Sequence, residues 1–128
     1  MAAADSPAHV ELSRLLARDY WLILSTPLAA CDQAAVNEHV EDHVAWLLDL
    51  ERDSTLLASG PLVSGPGVGP GSGVTVLRAA DEDAARAVAE RDPFVLAGLR
   101  TFALYRWRLN EGSVAVRVSL GTGTYEWQ

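Results

Sequence analysis

Lysine is absent from this chain of 128 residues, and all ten basic residues are arginine. The missing amine excludes Schiff-base chemistry and a phosphate-binding P-loop, because both depend on lysine. Seventeen carboxylates against ten arginines give a net charge of -7, which repels a phosphate backbone. Nucleic acid is therefore not an expected partner.

Cysteine and long apolar runs are also scarce. The single cysteine, Cys31, cannot form an internal disulfide, so a hydrophobic core must hold the fold together. No apolar run is long enough to span a membrane. No secretory leader opens the chain, so we expect a cytoplasmic protein. Apolar residues make up 49% of the sequence and charged residues 21%, which is typical of a globular domain.

The apolar pattern predicts an N-terminal extension of residues 1–19, with a short amphipathic helix over 9–18, and a single domain of residues 20–128. Within the domain, the predicted elements are strand 20–24, helix 32–53, strands 55–58 and 74–77, helix 81–91, a helical turn after Asp92–Pro93, and strands 101–109 and 114–120. Residues 64–73 hold five glycines and two prolines and must form a loop. That loop is either an ordinary connector or a lid over a site.

This order of elements is β-α-β-β-α-β with an extra C-terminal strand. It predicts an α+β domain of the split βαβ, or ferredoxin-like, type. The helices would pack on one face of an antiparallel sheet and leave apolar side chains on the other face. A second copy of the chain can cover that face, so a homodimer is expected.

Two histidines, His39 and His43, lie four residues apart on the first long helix, a spacing that can hold a metal ion. The motif matches no zinc-binding pattern and no third ligand is evident, so no metal or other cofactor is predicted. His43 falls inside the apolar stripe of the helix, whereas His39 falls on its flank. An imidazole turned towards the sheet is suited to general acid–base catalysis, and the alternative is a packed histidine with one backbone hydrogen bond.

Asp92 is followed by Pro93 and Phe94, a sequence typical of a helix start with aspartate as the N-cap. A carboxylate at this place can also orient an imidazole and stabilise its charged form. In a ferredoxin-like sheet the loop before the last core strand can approach the first helix. Contact between Asp92 and His43 is therefore feasible.

Arg106 is the candidate among the charged residues for binding a substrate carboxylate, since it alternates with aromatic residues on the last core strand. The alternative is a position at a dimer rim or in solvent. Ser59, Gly60 and Pro61 complete the candidate substrate-binding residues, although they form no G-x-S-x-G nucleophile elbow. Cys31 is interpreted as an inert thiol, because nothing basic lies near it in sequence.

Several short segments occur together in one known family, in a characteristic order and spacing. They are His43 with Trp46, Leu47 and Leu50; Leu57 with Ser59–Gly60–Pro61–Leu62; Asp81–Arg86; Asp92–Pro93–Phe94 with Ala97–Gly98; and Trp107–Gly112. With these segments the chain resembles the YCII-related (YciI-like) family from about Tyr20 to Glu111.

The resemblance implies a dimeric α+β barrel of the ferredoxin-like type, related to muconolactone isomerase and other small enzymes that use no cofactor. The histidine and aspartate of the family would correspond to His43 and Asp92, as an acid–base dyad in a cleft. One member of the family is a dehydrochlorinase acting on a chlorinated hydroxyhydroquinone. The N-terminal extension, the glycine-rich loop and the extra C-terminal strand depart from the shorter members.

Two functions are compatible with these features. The first is a small lyase or isomerase that uses His43 and Asp92 on a small cyclic or aromatic compound. The second is a non-catalytic dimeric module that binds a small-molecule ligand in the same cleft. A metal site at His39 and His43 is a third interpretation.

Overall fold

The computed structural model describes residues 10–128, which form two compact units. The larger unit spans Asp19–Arg108, and the smaller unit combines the described residues up to Arg18 with Leu109–Gln128. The predicted boundary after residue 19 lies next to the start of the larger unit. The placing of residues 20–128 in one domain stays a prediction. Between residues 10 and 128 there is no helix long and apolar enough to cross a membrane.

A four-stranded sheet is the frame of the larger unit. Its strands are β1 (Arg18–Pro27), β2 (Leu56–Pro61), β3 (Gly73–Leu77) and β4 (Arg100–Leu109), in the order β2-β3-β1-β4. β3 pairs antiparallel with β1 and with β2. All four are strands that the sequence predicts from runs of aliphatic, β-branched and aromatic residues.

Three helices complete the larger unit: α1 (Gln33–Arg52), α2 (Glu82–Ala89) and α3 (Pro93–Leu96). Each follows an aspartate, Asp32, Asp81 or Asp92, whose carboxylate accepts a hydrogen bond from a backbone N–H of the first turn. Such caps satisfy amides that have no partner inside the helix. The two helices predicted for the larger unit, 32–53 and 81–91, and the turn after Pro93 are therefore confirmed, and the fold is an α+β fold with an antiparallel sheet.

Two small clusters of buried side chains form the core of this unit. In the first, Ile23 and Leu77 of the sheet pack against Ala89 of α2. The second consists of Cys31, Phe94 and Leu99, packed against Ala35 and Val36. Because it joins α3 and the residues before β4 to the N-terminal half of α1, the second cluster positions the side chains of the candidate site.

The predicted helix over residues 9–18 is wrong for the residues described. Only one 3-10 turn, Leu12–Arg14, forms, and His9 lies outside the described residues. Leu15 is already extended, and Ala17 has a positive φ of 49°. Val10, Leu12 and Leu16 are each more than half exposed, so most of the apolar stripe is not packed. A ten-residue helix without such packing is marginal in water.

The C-terminal residues form a hairpin instead of the single extra strand that the sequence predicts. Its strands are β5 (Val116–Ser119) and β6 (Thr124–Trp127), which pair antiparallel as a separate two-stranded sheet. The signal for β6 is present in the sequence, since a β-prone run follows the glycines at 121 and 123. β6 has only four residues, so its pattern of side chains is too short to distinguish a strand from a loop.

Candidate active site

The imidazole of His43 and the carboxylate of Asp92 are in direct contact. Nδ1 of His43 lies 2.8 Å from Oδ1 of Asp92, although 49 positions separate the two residues. Of the side chains, 13% of His43 and 6% of Asp92 is exposed. The structure thus brings together the two residues that the sequence analysis selects as an acid–base pair.

Asp92 has two structural roles at once. The same Oδ1 accepts a hydrogen bond of 2.9 Å from the backbone N–H of Phe94, which makes Asp92 the N-cap of α3. An ionised carboxylate only accepts hydrogen bonds, so Nδ1 of His43 is the donor. In the neutral ring this leaves the lone pair of Nε2 available to a ligand or a proton. The two interpretations of Asp92, helix cap and partner of His43, are therefore compatible.

Arg100 is a third charged side chain at this place, and sequence analysis missed it. Only 6% of its side chain is exposed, and Nη1 lies 3.4 Å from Oδ2 of Asp92. Burial lowers the pKa of Arg100, and the negative charge of Asp92 offsets that effect only in part. Its Nε is buried without a hydrogen-bond partner among residues 10–128.

Phe94 packs against both the histidine and the arginine. Its ring centroid lies 4.5 Å from that of His43, and the guanidinium carbon of Arg100 lies 4.3 Å from the same Phe94 centroid. The aromatic face attracts the cation and excludes water from it. We refer to His43, Asp92, Phe94 and Arg100 as the buried cluster.

A cavity of about 740 Å³ adjoins the buried cluster, with His43, Phe94 and Arg100 in its wall. This volume is within the range of small-molecule sites. One side of the cavity is the face of α1 that carries Val36, Val40, His43 and Leu47. These positions recur every three or four residues, which is the stripe that the helical period predicts.

The segment Ser59–Gly60–Pro61, at the end of β2, also lines this cavity, and its role in substrate binding stays a prediction. The glycine-rich loop lines it through residues 68–72, so it borders a site as well as connecting two strands. Gly71 in this loop has a φ of 86°, and a Cβ there would lie 2.9 Å from Sγ of Cys31. Glycine therefore allows the loop to approach Cys31, whose thiol is buried and donates to the carbonyl of Pro70.

Arg106, the remaining candidate for substrate binding, is not in the wall of this cavity. It borders a separate hollow of about 280 Å³ beside the start of α2. Its Nε donates to Oδ2 of Asp19 at 2.9 Å, and Nε of Arg108 donates to Oδ1 of Asp19 at 2.7 Å. We refer to Asp19, Arg106 and Arg108 as the surface cluster. Arg106 is thus placed away from the cavity that Ser59, Gly60 and Pro61 line, and its role in substrate binding stays a prediction.

His39 does not join His43 in a common site. Its Nδ1 lies 3.1 Å from the carbonyl oxygen of Ala35, one turn earlier in α1, whereas Nδ1 of His43 faces Asp92. Among the described residues no group of three or more histidine, cysteine, aspartate or glutamate side chains is arranged to hold a metal ion. The structure therefore gives no support to the metal interpretation.

Comparison with known proteins agrees with this description. Residues 20–108, more than half of the chain, match the YCII-related domain family. Among curated proteins no match is found. Among solved structures, the larger part of the chain is similar to 5-chloro-2-hydroxyhydroquinone dehydrochlorinase (TftG) from Burkholderia phenoliruptrix, in complex with 2,5-dihydroxybenzoquinone.

The similarity to that dehydrochlorinase has 25% sequence identity and a TM-score of 0.57, and it covers 69% of this chain and 92% of the other. It supports the α+β fold. The family match spans almost the whole of the larger unit, and it includes His43, Asp92 and Arg100. The chain therefore belongs to the YCII-related domain family.

Proposed function

We propose that this protein is a small acid–base enzyme of the lyase or isomerase type, in which His43 transfers the proton and Asp92 positions His43. The observation that carries the proposal is the 2.8 Å contact between His43 Nδ1 and Asp92 Oδ1 beside a cavity of about 740 Å³. Such a reaction requires no cofactor, because an imidazole takes up and returns a proton near neutral pH.

His43 and Asp92 have different roles in the proposed reaction. Asp92 accepts the Nδ1–H of His43, which fixes the ring orientation and the tautomer and stabilises the imidazolium when it forms. Nε2 of His43 makes no hydrogen bond within the described part of the chain and is the atom that meets the substrate. Phe94 and Trp46, with ring centroids 4.5 and 5.8 Å from that of His43, keep the imidazole in place.

The chemistry of this arrangement is redox-neutral. In an elimination from a chlorinated hydroquinone, the ring reacts as a keto tautomer in which the carbon that carries the chlorine is saturated. Nε2 of His43 takes the proton of a ring hydroxyl, the electrons of the O–H bond form a C=O bond while the ring double bond shifts towards the saturated carbon, and chloride departs with its bonding pair. In an isomerisation, Nε2 takes a proton from one carbon and the imidazolium returns it to a different carbon. Neither reaction needs a nucleophilic side chain.

The substrate class is a small cyclic or aromatic compound. The similar dehydrochlorinase, whose structure holds a single-ring dihydroxyquinone, supports this class. The cavity is wide enough for one ring, and the aliphatic face of α1 offers it an apolar wall. We assign Ser59, Gly60 and Pro61, on another side of the cavity, to substrate contact.

Chloride release from 5-chloro-2-hydroxyhydroquinone and from related chlorinated phenols tests the proposal. We expect His43→Gln to lower kcat by about 10²–10⁴-fold, which is the usual contribution of a general acid or base. Asp92→Asn should lower the rate by about 10–100-fold, as loss of a positioning carboxylate does.

The matched control for this assay is His39→Gln. His39 lies on the same helix, hydrogen-bonded to Ala35, and is not in the cavity wall, so this variant should retain wild-type activity. If His43→Gln turns the substrate over as fast as the wild type, the proposal is wrong.

A second candidate function is a non-catalytic module that binds a ligand in this cavity. The aliphatic face of α1 favours it, because valine and leucine side chains bind a ring without taking part in proton transfer. Equal affinity of the wild type and His43→Gln for 2,5-dihydroxybenzoquinone, together with no turnover of the chlorinated compounds, would favour this module.

A ferredoxin-like fold and a homodimer are part of the same proposal. The strand order β2-β3-β1-β4 supports the first. The homodimer is supported by an exposed face of β4. Tyr105 and Trp107 on this face are 53% and 39% exposed, whereas Phe102 and Leu104 on the other face are half-buried. Sedimentation at micromolar concentration should show a dimer that Trp107→Glu dissociates, and a stable wild-type monomer would contradict it. A cytoplasmic location stays a prediction.

A further inference from the structure

The guanidinium of Arg100 has more donors than the protein uses. It carries five N–H groups, yet its hydrogen bonding within residues 10–128 is limited to one contact, from Nη1 to Oδ2 of Asp92 at 3.4 Å. Nε is fully buried and unpaired, and the side chain as a whole is 94% buried. Buried polar groups almost always have a partner, so unused donors beside a cavity indicate an acceptor that arrives with the ligand.

The charge of Arg100 is also incompletely balanced. Asp92 is its acidic neighbour, but Oδ1 of that carboxylate already accepts from His43 and from the backbone of Phe94. Burial lowers the pKa of Arg100, with Asp92 acting in the opposite direction. A buried cation with so little compensation is stabilised by a negative charge placed next to it.

Arg100 borders the same cavity as His43. Arg100 is part of the cavity wall, and a Cβ built on Gly71, another residue of the wall, would lie 3.7 Å from Nη2 of Arg100. His43 and Arg100 both pack on the ring of Phe94, within 4.5 Å of its centroid. A single-ring ligand in the cavity can therefore reach the imidazole and the guanidinium together.

We propose that Arg100 is the residue that selects the ligand of this cavity, and that the ligand is a single-ring compound with an ionised oxygen held by the Arg100 guanidinium. The proposal rests on the proposed function for the use of the site, and it narrows the substrate class to oxyanions such as phenolates, enolates and carboxylates. For acid–base chemistry, the guanidinium would stabilise the negative charge on oxygen while His43 moves a proton.

Benzoate and benzamide form a matched pair of probes, because they have the same ring and nearly the same size but differ in charge. Isothermal titration of the full-length wild type should show benzoate binding at least about tenfold more tightly than benzamide, as expected for a charge-assisted hydrogen bond. In Arg100→Met the two affinities should become equal within about twofold. Arg100→Lys should keep part of the preference, because it keeps the charge but not the fork of donors.

Arg106→Met is the control for the loss of an arginine in general. Arg106 lies in the surface cluster, outside the cavity, so the preference for benzoate should remain as in the wild type. Nitrogen-15 NMR of the wild type adds a local measurement, since the resonance of the Arg100 Nε–H should shift on titration with benzoate and not with benzamide. The NMR titration and the ratio of the two wild-type affinities test the role of Arg100 even if Arg100→Met fails to fold.

The inference is overturned if the wild type binds benzamide as tightly as benzoate, if benzoate does not bind measurably, or if the preference is lost in Arg106→Met and kept in Arg100→Met. Its failure is separable from that of the proposed function. Turnover that depends on His43, without any preference for benzoate, would overturn this inference alone. A preference that depends on Arg100, in a protein whose turnover is unchanged in His43→Gln, would overturn the proposed catalysis alone.

Discussion

The buried cluster and the surface cluster each pair an aspartate with arginine, and they differ in almost every other respect. In the surface cluster two guanidiniums donate hydrogen bonds to the carboxylate of Asp19, with Nε–O distances of 2.9 Å from Arg106 and 2.7 Å from Arg108. In the buried cluster one guanidinium reaches Asp92 at 3.4 Å, and its Nε stays unpaired. The arginines of the first are about 60% exposed, whereas Arg100 is 6% exposed.

This difference separates a structural ion pair from a site. Water can satisfy the remaining donors of Arg106 and Arg108, so nothing further is required of the surface cluster. In the buried cluster the missing hydrogen bond of Arg100 Nε is expensive, because bulk water does not reach that atom. We attribute the free-energy cost retained beside the cavity to the proposed ligand, whereas the tighter ion pair at the surface needs no ligand.

The largest expected effect is on stability, from Asp92→Ala. It removes the acidic neighbour of Arg100, the partner of His43 and the cap of α3. We expect a loss of about 3–5 kcal/mol in the free energy of unfolding, as for a buried pair with one member removed. Asp19→Ala, the matched change in the surface cluster, should cost much less. Urea unfolding of both variants measures the difference, and equal losses would contradict the comparison.

A smaller effect is expected where the glycine-rich loop covers Arg100. Gly71→Ala would place a methyl group 2.9 Å from Sγ of Cys31, at a φ of 86°. Gly67→Ala is the control, since its φ is 72° but no atom lies within 4 Å of the new methyl. We expect about 2–4 kcal/mol lost for Gly71→Ala, from strain plus overpacking, and about 1–2 kcal/mol for Gly67→Ala, from strain alone. Thermal unfolding that gives equal losses would show that the loop does not press on Cys31.

The smallest effect is the pH dependence of the surface cluster. Hydrogen bonds from Arg108 and then Arg106 lower the pKa of Asp19 to about 2. In the unfolded chain this pKa is about 3.9, so the stabilisation is complete above that pH and is lost as the pH falls through about 2. The gap in unfolding free energy between wild type and Asp19→Asn should therefore be largest near neutral pH and shrink below about pH 4. High salt should reduce this gap at neutral pH, because the cluster is exposed. A gap that is constant with pH would contradict the assignment.

Of the buried cluster, the sequence predicts His43 and Asp92, because the signal for each lies in its own neighbouring residues. α1 contains neither glycine nor proline, and its apolar period places His43 on the inward face without any knowledge of the partner. Asp92 before Pro93 is a helix start by its own chemistry. The pairing of His43 with Asp92 needed the fold and the family resemblance, because no local rule joins residues 49 positions apart.

Arg100 could not be predicted in the same way. In the sequence it is a charged residue at the start of a strand, which is usually a solvated position. Its burial follows from the loop at Gly71, from Phe94 and from Asp92, which lie beside it only in the folded chain. The opposite error occurs in the predicted helix over residues 9–18. A helical period is present in the sequence, but Val10, Leu12 and Leu16 stay more than half exposed and the helix does not form in the described residues.

One carboxylate oxygen of Asp92 both starts α3 and holds the imidazole of His43. Fraying of this single helical turn would therefore release the histidine ring while the sheet is still intact. If the proposed catalysis holds, activity on gentle heating should be lost before the overall fold, and amide hydrogen exchange at Phe94 would follow the same local opening.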